Sequence, residues 1–324
     1  MKKLISVFLV LNILLCAFSA CSSVKGEQYP ITVNGTPVDG EIFRYYLDDV
    51  WDSEEALGSR DGRITEATYK CIRYVAVNST FSAYSLSLSD AEKVELSEKA
   101  NVLWNMFGAY YEKIGVSKET YIKIKTSDAF VEKLRLAFFD KGGTDEISDA
   151  LLRGVLQENF TAFRYVRTPL KTTDVYGNEI PLTDKEMNRL VALYNSNLNT
   201  VAASYTVEKA YTEIAEEFPL TEQSYENVVI DSSDHEFTTA FYNTVREMGN
   251  NTAKAFQFGE FVYLVYKTDI VNDGLIFSEL RDECLKIISE EPLQSKINVM
   301  CNAYQSVRDT SLVREYYDEV AQNR

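Results

Sequence analysis

Histidine is nearly absent from this chain of 324 residues: His235 is the only one. That excludes any chemistry built on a histidine pair, and His235-Glu236 has Thr239 where a zinc-binding helix would place its second histidine. Cysteine is scarce too. Apart from two near the N-terminus, only Cys71, Cys284 and Cys301 occur, without CxxC spacing; they read as buried small apolar residues, with a Cys284–Cys301 disulfide as the lesser alternative. No G-x-S-x-G, Walker or dinucleotide-binding motif is present, which removes the commonest nucleophile and phosphate chemistries. Asp61-Gly62-Arg63-Ile64 imitates the middle of a calcium loop, but the first and last ligand positions are Leu57 and Thr68. No metal and no cofactor is therefore expected.

What is there begins at the N-terminus. Lys2 and Lys3 precede an apolar stretch from Leu4 to Phe18, broken by Ser6 and Asn12. This is about 15 residues, short of the ~20 that a spanning helix needs and suited to the core of a signal peptide. It ends in Phe18-Ser19-Ala20-Cys21, which resembles the bacterial lipobox, with Phe18 where an aliphatic residue is usual. Residues 1–20 read as a lipoprotein signal peptide, Cys21 as the lipidation site, and 21–28 as a polar tether. Two acyl chains, at about 0.8 kcal/mol per buried CH₂, suffice for anchoring at the outer face of a cell membrane. No later segment is long and apolar enough to cross one.

Cleavage would leave 31 Lys and Arg against 49 Asp and Glu, a net charge of −18. Such a field repels phosphate backbones, so nucleic acid is not an expected partner. About 300 residues with 45% apolar content can bury a real core, here divided between two domains.

Hydrophobic periodicity organises the rest. Ile31-Thr32-Val33 is a short strand ending at Asn34-Gly35, and Asp39 caps a helix through Val50. Long helices follow over 65–86 and from the capping box Ser89-Asp90-Ala91-Glu92 to Gly115. Shorter ones cover 117–124, 127–139 and 148–159, so 29–159 is a helical module. From Phe160 the pattern changes. A strand over 163–170, helices at 183–203, 206–217 and 237–248, and a strand at 261–266 make 160–270 a small α/β unit. The C-terminal segment 271–324 returns to helical periodicity from Leu275, with breaks at Pro292 and near Arg308.

Several stretches together resemble the SurA/PrsA family of extracytoplasmic foldases. Val33-Asn34-Gly35 followed by Phe43, Tyr45 and Tyr46 is similar to the family's opening, and Tyr111 to Ser117 to a turn of its helical domain. Gln157-Glu158-Asn159-Phe160 running into Phe163-Arg164-Tyr165-Val166 resembles the entry to a parvulin-type prolyl isomerase domain. Tyr211 to Phe218, Glu236-Phe237 with Ala240-Phe241, and residues 256–268 as the closing strand resemble later parts of it.

The resemblance implies a mainly α fold with a small α+β parvulin-like domain, and a helical chaperone module completed by the C-terminal helices. It implies unfolded or partly folded secreted polypeptides as partners. It also locates the departures. The two histidines that floor a parvulin's proline pocket are replaced by Tyr165 and, in the last strand, Val262 or Phe261. Phe237, Phe241 and Phe261 are candidate pocket residues, and the domain reads as degenerate. The expected function is a lipid-anchored chaperone that holds unfolded secreted chains, with isomerase activity weak or lost. An active prolyl isomerase, and a surface lipoprotein that binds a wall polymer or a partner protein, remain as alternatives. Tyr84, Trp104, Phe107, Tyr110 and Tyr111 are either ordinary core or the lining of a client-binding surface.

Overall fold

The computed structural model describes residues 28–55 and 58–324. The expected signal peptide, Cys21 and all of the tether but Gln28 lie outside these residues. In chain order the elements are β1 (Ile31–Val33), β2 (Thr36–Val38), α1 (Gly40–Asp49), α2 (Arg60–Ala83), α3 (Asp90–Lys113), α4 (Lys118–Phe139), α5 (Asp149–Asn159) and β3 (Thr161–Pro169). There follow β4 (Lys171–Thr173), β5 (Glu179–Pro181), α6 (Asp184–Ser204), α7 (Glu208–Glu217), β6 (Glu222–Ile230) and α8 (Thr239–Arg246). The chain closes with β7 (Thr252–Phe258), β8 (Phe261–Lys267), α9 (Gly274–Asn302), β9 (Ser306–Arg308) and α10 (Thr310–Asn323). The fold is mainly α with a small α+β domain. None of the described helices is long and apolar enough to cross a membrane.

Two compact units result, one of residues up to Glu146 with Ser289–Arg324, the other Ile147–Ile288. The divisions fall there rather than at 159/160 and 270/271, where the sequence pattern changes. The cause lies in α5, whose Leu152, Val155 and Leu156 are buried, and whose Arg153 stacks on Phe277 of α9 and donates to the Val271 carbonyl. These contacts assign α5 and the first half of α9 to the sheet unit.

In the helical unit, short polar side chains start each helix. Asp39, Ser59, Ser89 and Ser117 accept backbone N–H bonds at the starts of α1 to α4, and at Ser89 the capping box with Glu92 is complete. Residues 117–139 hold one helix, not two. Thr126 bonds back to the Ile122 carbonyl and Ser127 accepts from Asn78 of α2, so the polar pair is satisfied without ending the helix. α9 likewise runs through Pro292. The proline forgoes one N–H bond, while Leu293, Ile297 and Cys301 beyond it are buried and hold the helix in place.

The C-terminus completes this unit. β9 pairs with β1 in the antiparallel sheet β2-β1-β9, and Val313 and Val320 of α10 enter the core of α1, α2 and α4. Glu319 receives Arg44 at 2.7 and 2.9 Å, and Arg44 lies 3.8 Å over the Tyr316 ring. A Cβ on Gly40 would stand 2.7 Å from that ring, so the close approach requires glycine.

The sheet unit is a four-stranded antiparallel sheet, β6-β3-β8-β7. α6 and α7 cover one face, where Leu190, Tyr194, Val201, Ala210 and Ile214 meet Val166, Val262, Leu264 and Tyr266. α8 covers the other. β6 is an element the sequence pattern does not signal. It lies at the sheet edge with most of its residues half-exposed or exposed, so it lacks the apolar alternation of a covered strand.

Candidate functional site

The α8 face of the sheet carries the residues expected to form a proline pocket. Tyr165 on β3 and Tyr263 on β8 approach with ring centroids 6.0 Å apart. Val262 does not join them. Side chains alternate along a strand, and Val262 points to the opposite face, buried against α6 and α7. In register Tyr165 lies opposite Val265 and Tyr263 opposite Arg167, so Tyr263, not Val262, is the β8 aromatic that shares this face with Tyr165.

Phe237 and Phe241 are core side chains. Phe237 packs 5.2 Å from Phe163, 5.8 Å from Tyr165 and 4.8 Å from Phe241, and Phe241 packs 4.9 Å from Tyr263. Phe241 has no exposed surface, and Tyr165 and Tyr263 keep 8% and 5%. Phe261 is half-buried at the rim. Arg167 lies there too, 4.9 Å over the Phe261 ring and paired with Glu222 at 2.6 Å and Glu236 at 3.2 Å. The structure brings Tyr165, Phe237, Phe241 and Phe261 to one face and adds Tyr263 and Arg167, which the sequence pattern does not single out.

Burial raises the Tyr165 phenol above its ordinary value, so it stays protonated and can only donate or accept a hydrogen bond. His235 is exposed in the bend before α8, where Asp234 accepts the backbone N–H groups of Glu236 and Phe237. Phe237 and Phe241 fill the space over Tyr165 and Tyr263 on this face.

A second feature lies in the helical unit. α3 buries Ala100, Trp104 and Gly108, with Trp104 packed 6.1 Å from Tyr111 and 5.5 Å from Tyr121. A Cβ on Gly108 would stand 2.6 Å from the Trp104 indole. Another side of the same helix is also apolar and open. Val102, Leu103, Met106 and Phe107, at i, i+1, i+4 and i+5, are 59%, 39%, 67% and 48% exposed. Of the five aromatics weighed for a client surface, Trp104 and Tyr111 pack in the core cluster. Tyr110 donates to Asp48, Tyr84 packs edge-on against Phe138 while remaining partly exposed, and Phe107 lies on the open face.

The three described cysteines are free, buried thiols, so Cys284 and Cys301 are not bridged; burial pushes Cys284 up to about 11. Asp61 to Arg63 form the first turn of α2, not a loop. Among the described residues no cluster of His, Cys, Asp and Glu is arranged to hold a metal.

No protein-family model and no curated protein matches the chain. The sequence resemblance to SurA/PrsA foldases recurs as a likeness to solved PrsA structures. Foldase protein PrsA from Streptococcus pneumoniae is 11% identical at a TM-score of 0.32, covering 86% of this chain and 88% of that one. PrsA from Bacillus subtilis is 11% identical at 0.26, covering 85% of each, and the Lactococcus lactis protein is 10% identical at 0.33, covering 91% of this chain and 99% of that one. Identities and scores this low leave the function to be argued from the chain's own residues.

Proposed function

We propose that this protein is a lipid-anchored extracytoplasmic chaperone of the foldase type, which holds unfolded secreted polypeptides and has little or no prolyl isomerase activity. The observation that carries the reading is the open apolar side of α3. A solvated helix normally hides its one apolar stripe, and an exposed contiguous apolar patch marks an interaction surface. Val102, Leu103, Met106 and Phe107 offer aliphatic, flexible thioether and aromatic groups without fixed hydrogen-bond partners, so they can grip many sequences. Each contact is weak, and holding works by lowering the free concentration of aggregating chains.

The direct test follows aggregation of a reduced, unfolded client with the wild-type protein and with a Val102→Ser, Met106→Gln, Phe107→Ser variant. These side chains are exposed, so the variant should keep its thermal midpoint while losing most of the protection. Full protection by the variant would remove α3 from the reading. No protection by the wild type would favour the surface-binding lipoprotein.

Anchoring through Cys21 is part of the same proposal, supported by the short apolar segment and the Ser19-Ala20-Cys21 ending. A Cys21→Ala variant should collect in the medium or as uncleaved precursor. Mature, membrane-bound protein from that variant would overturn the anchor.

A further inference from the structure

Within the helical unit, α1, α2 and α4 line an open cleft of about 270 Å³, away from the candidate residues described above. Its lining mixes tyrosine and aliphatic side chains, among them Tyr45, Tyr46, Tyr74 and Ile124, with charged groups that make most of its open surface polar. Its charges do not balance. Three cations, Lys70, Arg73 and Lys125, line it against two carboxylates, Asp49 and Asp128. Lys70 pairs with Asp49 at 3.3 Å and Lys125 with Asp128 at 3.4 Å.

Arg73 is left over. Its Nη1 donates to the neutral Oε1 of Gln294 at 3.0 Å, and among the described residues it makes no ion pair. In a chain with a net charge of −16, a cationic surplus beside tyrosine rings and Ile124 favours an anion that carries a short apolar body. A guanidinium has five N–H donors in a fork that matches a carboxylate, and this one has spent one of them on a neutral acceptor. The volume lies just below the ~300 Å³ at which small-molecule pockets begin, so the ligand's body is about one side chain in size.

We propose that this cleft binds a monocarboxylate with a short apolar or aromatic body, Arg73 holding the carboxylate and the tyrosines flanking the body. Such a group is either a free organic acid or the C-terminal residue of a polypeptide. The site is separate from the open side of α3 and stands or falls independently of it.

The test titrates full-length protein, followed by tyrosine fluorescence and calorimetry, with 3-phenylpropionate, its amide, and a short peptide ending in phenylalanine as free acid or amide. Saturable binding of an acid with a Kd on the order of 1 mM or tighter is expected, with the matching amide at least tenfold weaker. Binding of phenylpropionate alone identifies a free acid as the source, and binding of the peptide acid a chain end. Arg73→Gln should abolish binding and Arg73→Lys retain part of it. Equal binding of acid and amide would overturn the proposal, as would undiminished binding by Arg73→Gln or no saturation at about 10 mM acid. Should Arg73→Gln fail to fold, the acid–amide comparison on the wild type still decides.

Discussion

Tyr165 and Tyr263 meet across β3 and β8 with their rings 6.0 Å apart, while Phe237 and Phe241 of the α8 segment press on the pair from above. Phenols stand on this face where the family resemblance would place histidines, and in the function proposed above the packed rings leave no room for a prolyl ring. The full-length protein should therefore leave the proline-limited refolding phase of a test substrate at its uncatalysed time of tens to hundreds of seconds. Tyr165→His with Tyr263→His should not restore catalysis, although positioned polar groups are typically worth 10²–10⁴-fold, because the phenylalanines still occupy the site. Acceleration by the wild type at rates typical of active parvulins would refute the filled-site reading.

Phe241 touches Phe163, Phe237, Phe256, Phe258 and Tyr263, and no part of it reaches solvent. Phe241→Ala should cost the sheet unit about 3–5 kcal/mol, from lost transfer energy and the cavity left behind. Denaturant unfolding followed by tyrosine fluorescence measures it. A loss below about 1 kcal/mol would mean that this face is loosely packed and open to a ligand after all.

The helical elements were legible because helices announce themselves locally. The box Ser89-Asp90-Ala91-Glu92 gives the start of α3, and Asp39 the start of α1. The register of β8 was not legible. Phe261-Val262-Tyr263-Leu264-Val265-Tyr266 is apolar at every position because helices cover both faces of the sheet, and no alternation separates Val262 from Tyr263. β6 escaped for the opposite reason, being mostly uncovered. The apolar side of α3 was legible as residues but not as a surface, since two apolar sides on one helix blur its periodicity, and only coordinates separate buried Trp104 from exposed Phe107.

The dependence of the helical unit on the C-terminus gives a third prediction. Removing residues 303–324 deletes the partner strand of β1, the Arg44–Glu319 pair and the buried Val313 and Val320, and it uncovers Trp51, which stacks 5.1 Å from Tyr317. Two buried valines alone are worth about 3 kcal/mol, so the thermal midpoint of the helical unit should fall by at least ~6 °C. Calorimetry of the truncated chain decides. An unchanged transition would mean that α10 merely decorates a body that α1 to α4 complete.

The last prediction concerns acid. Glu92 closes the capping box of α3 and also receives Lys133 of α4 at 2.6 Å. The hydrogen bond from Lys133, followed by those from the Ser89 backbone and hydroxyl, lowers its carboxyl from 4.5 to about 2. A carboxyl held lower in the folded than in the unfolded chain binds its proton more weakly when folded, so acid favours unfolding. The contribution of Glu92 is fully present above 4.5 and fades as pH falls through about 2. Glu92→Gln can keep one cap hydrogen bond but not the charge. Its urea midpoint should lie below that of the wild type at neutral pH, and the two should converge as pH falls through that window. A gap that stays constant down to the lower end would show that Glu92 acts there by shape alone, without its charge.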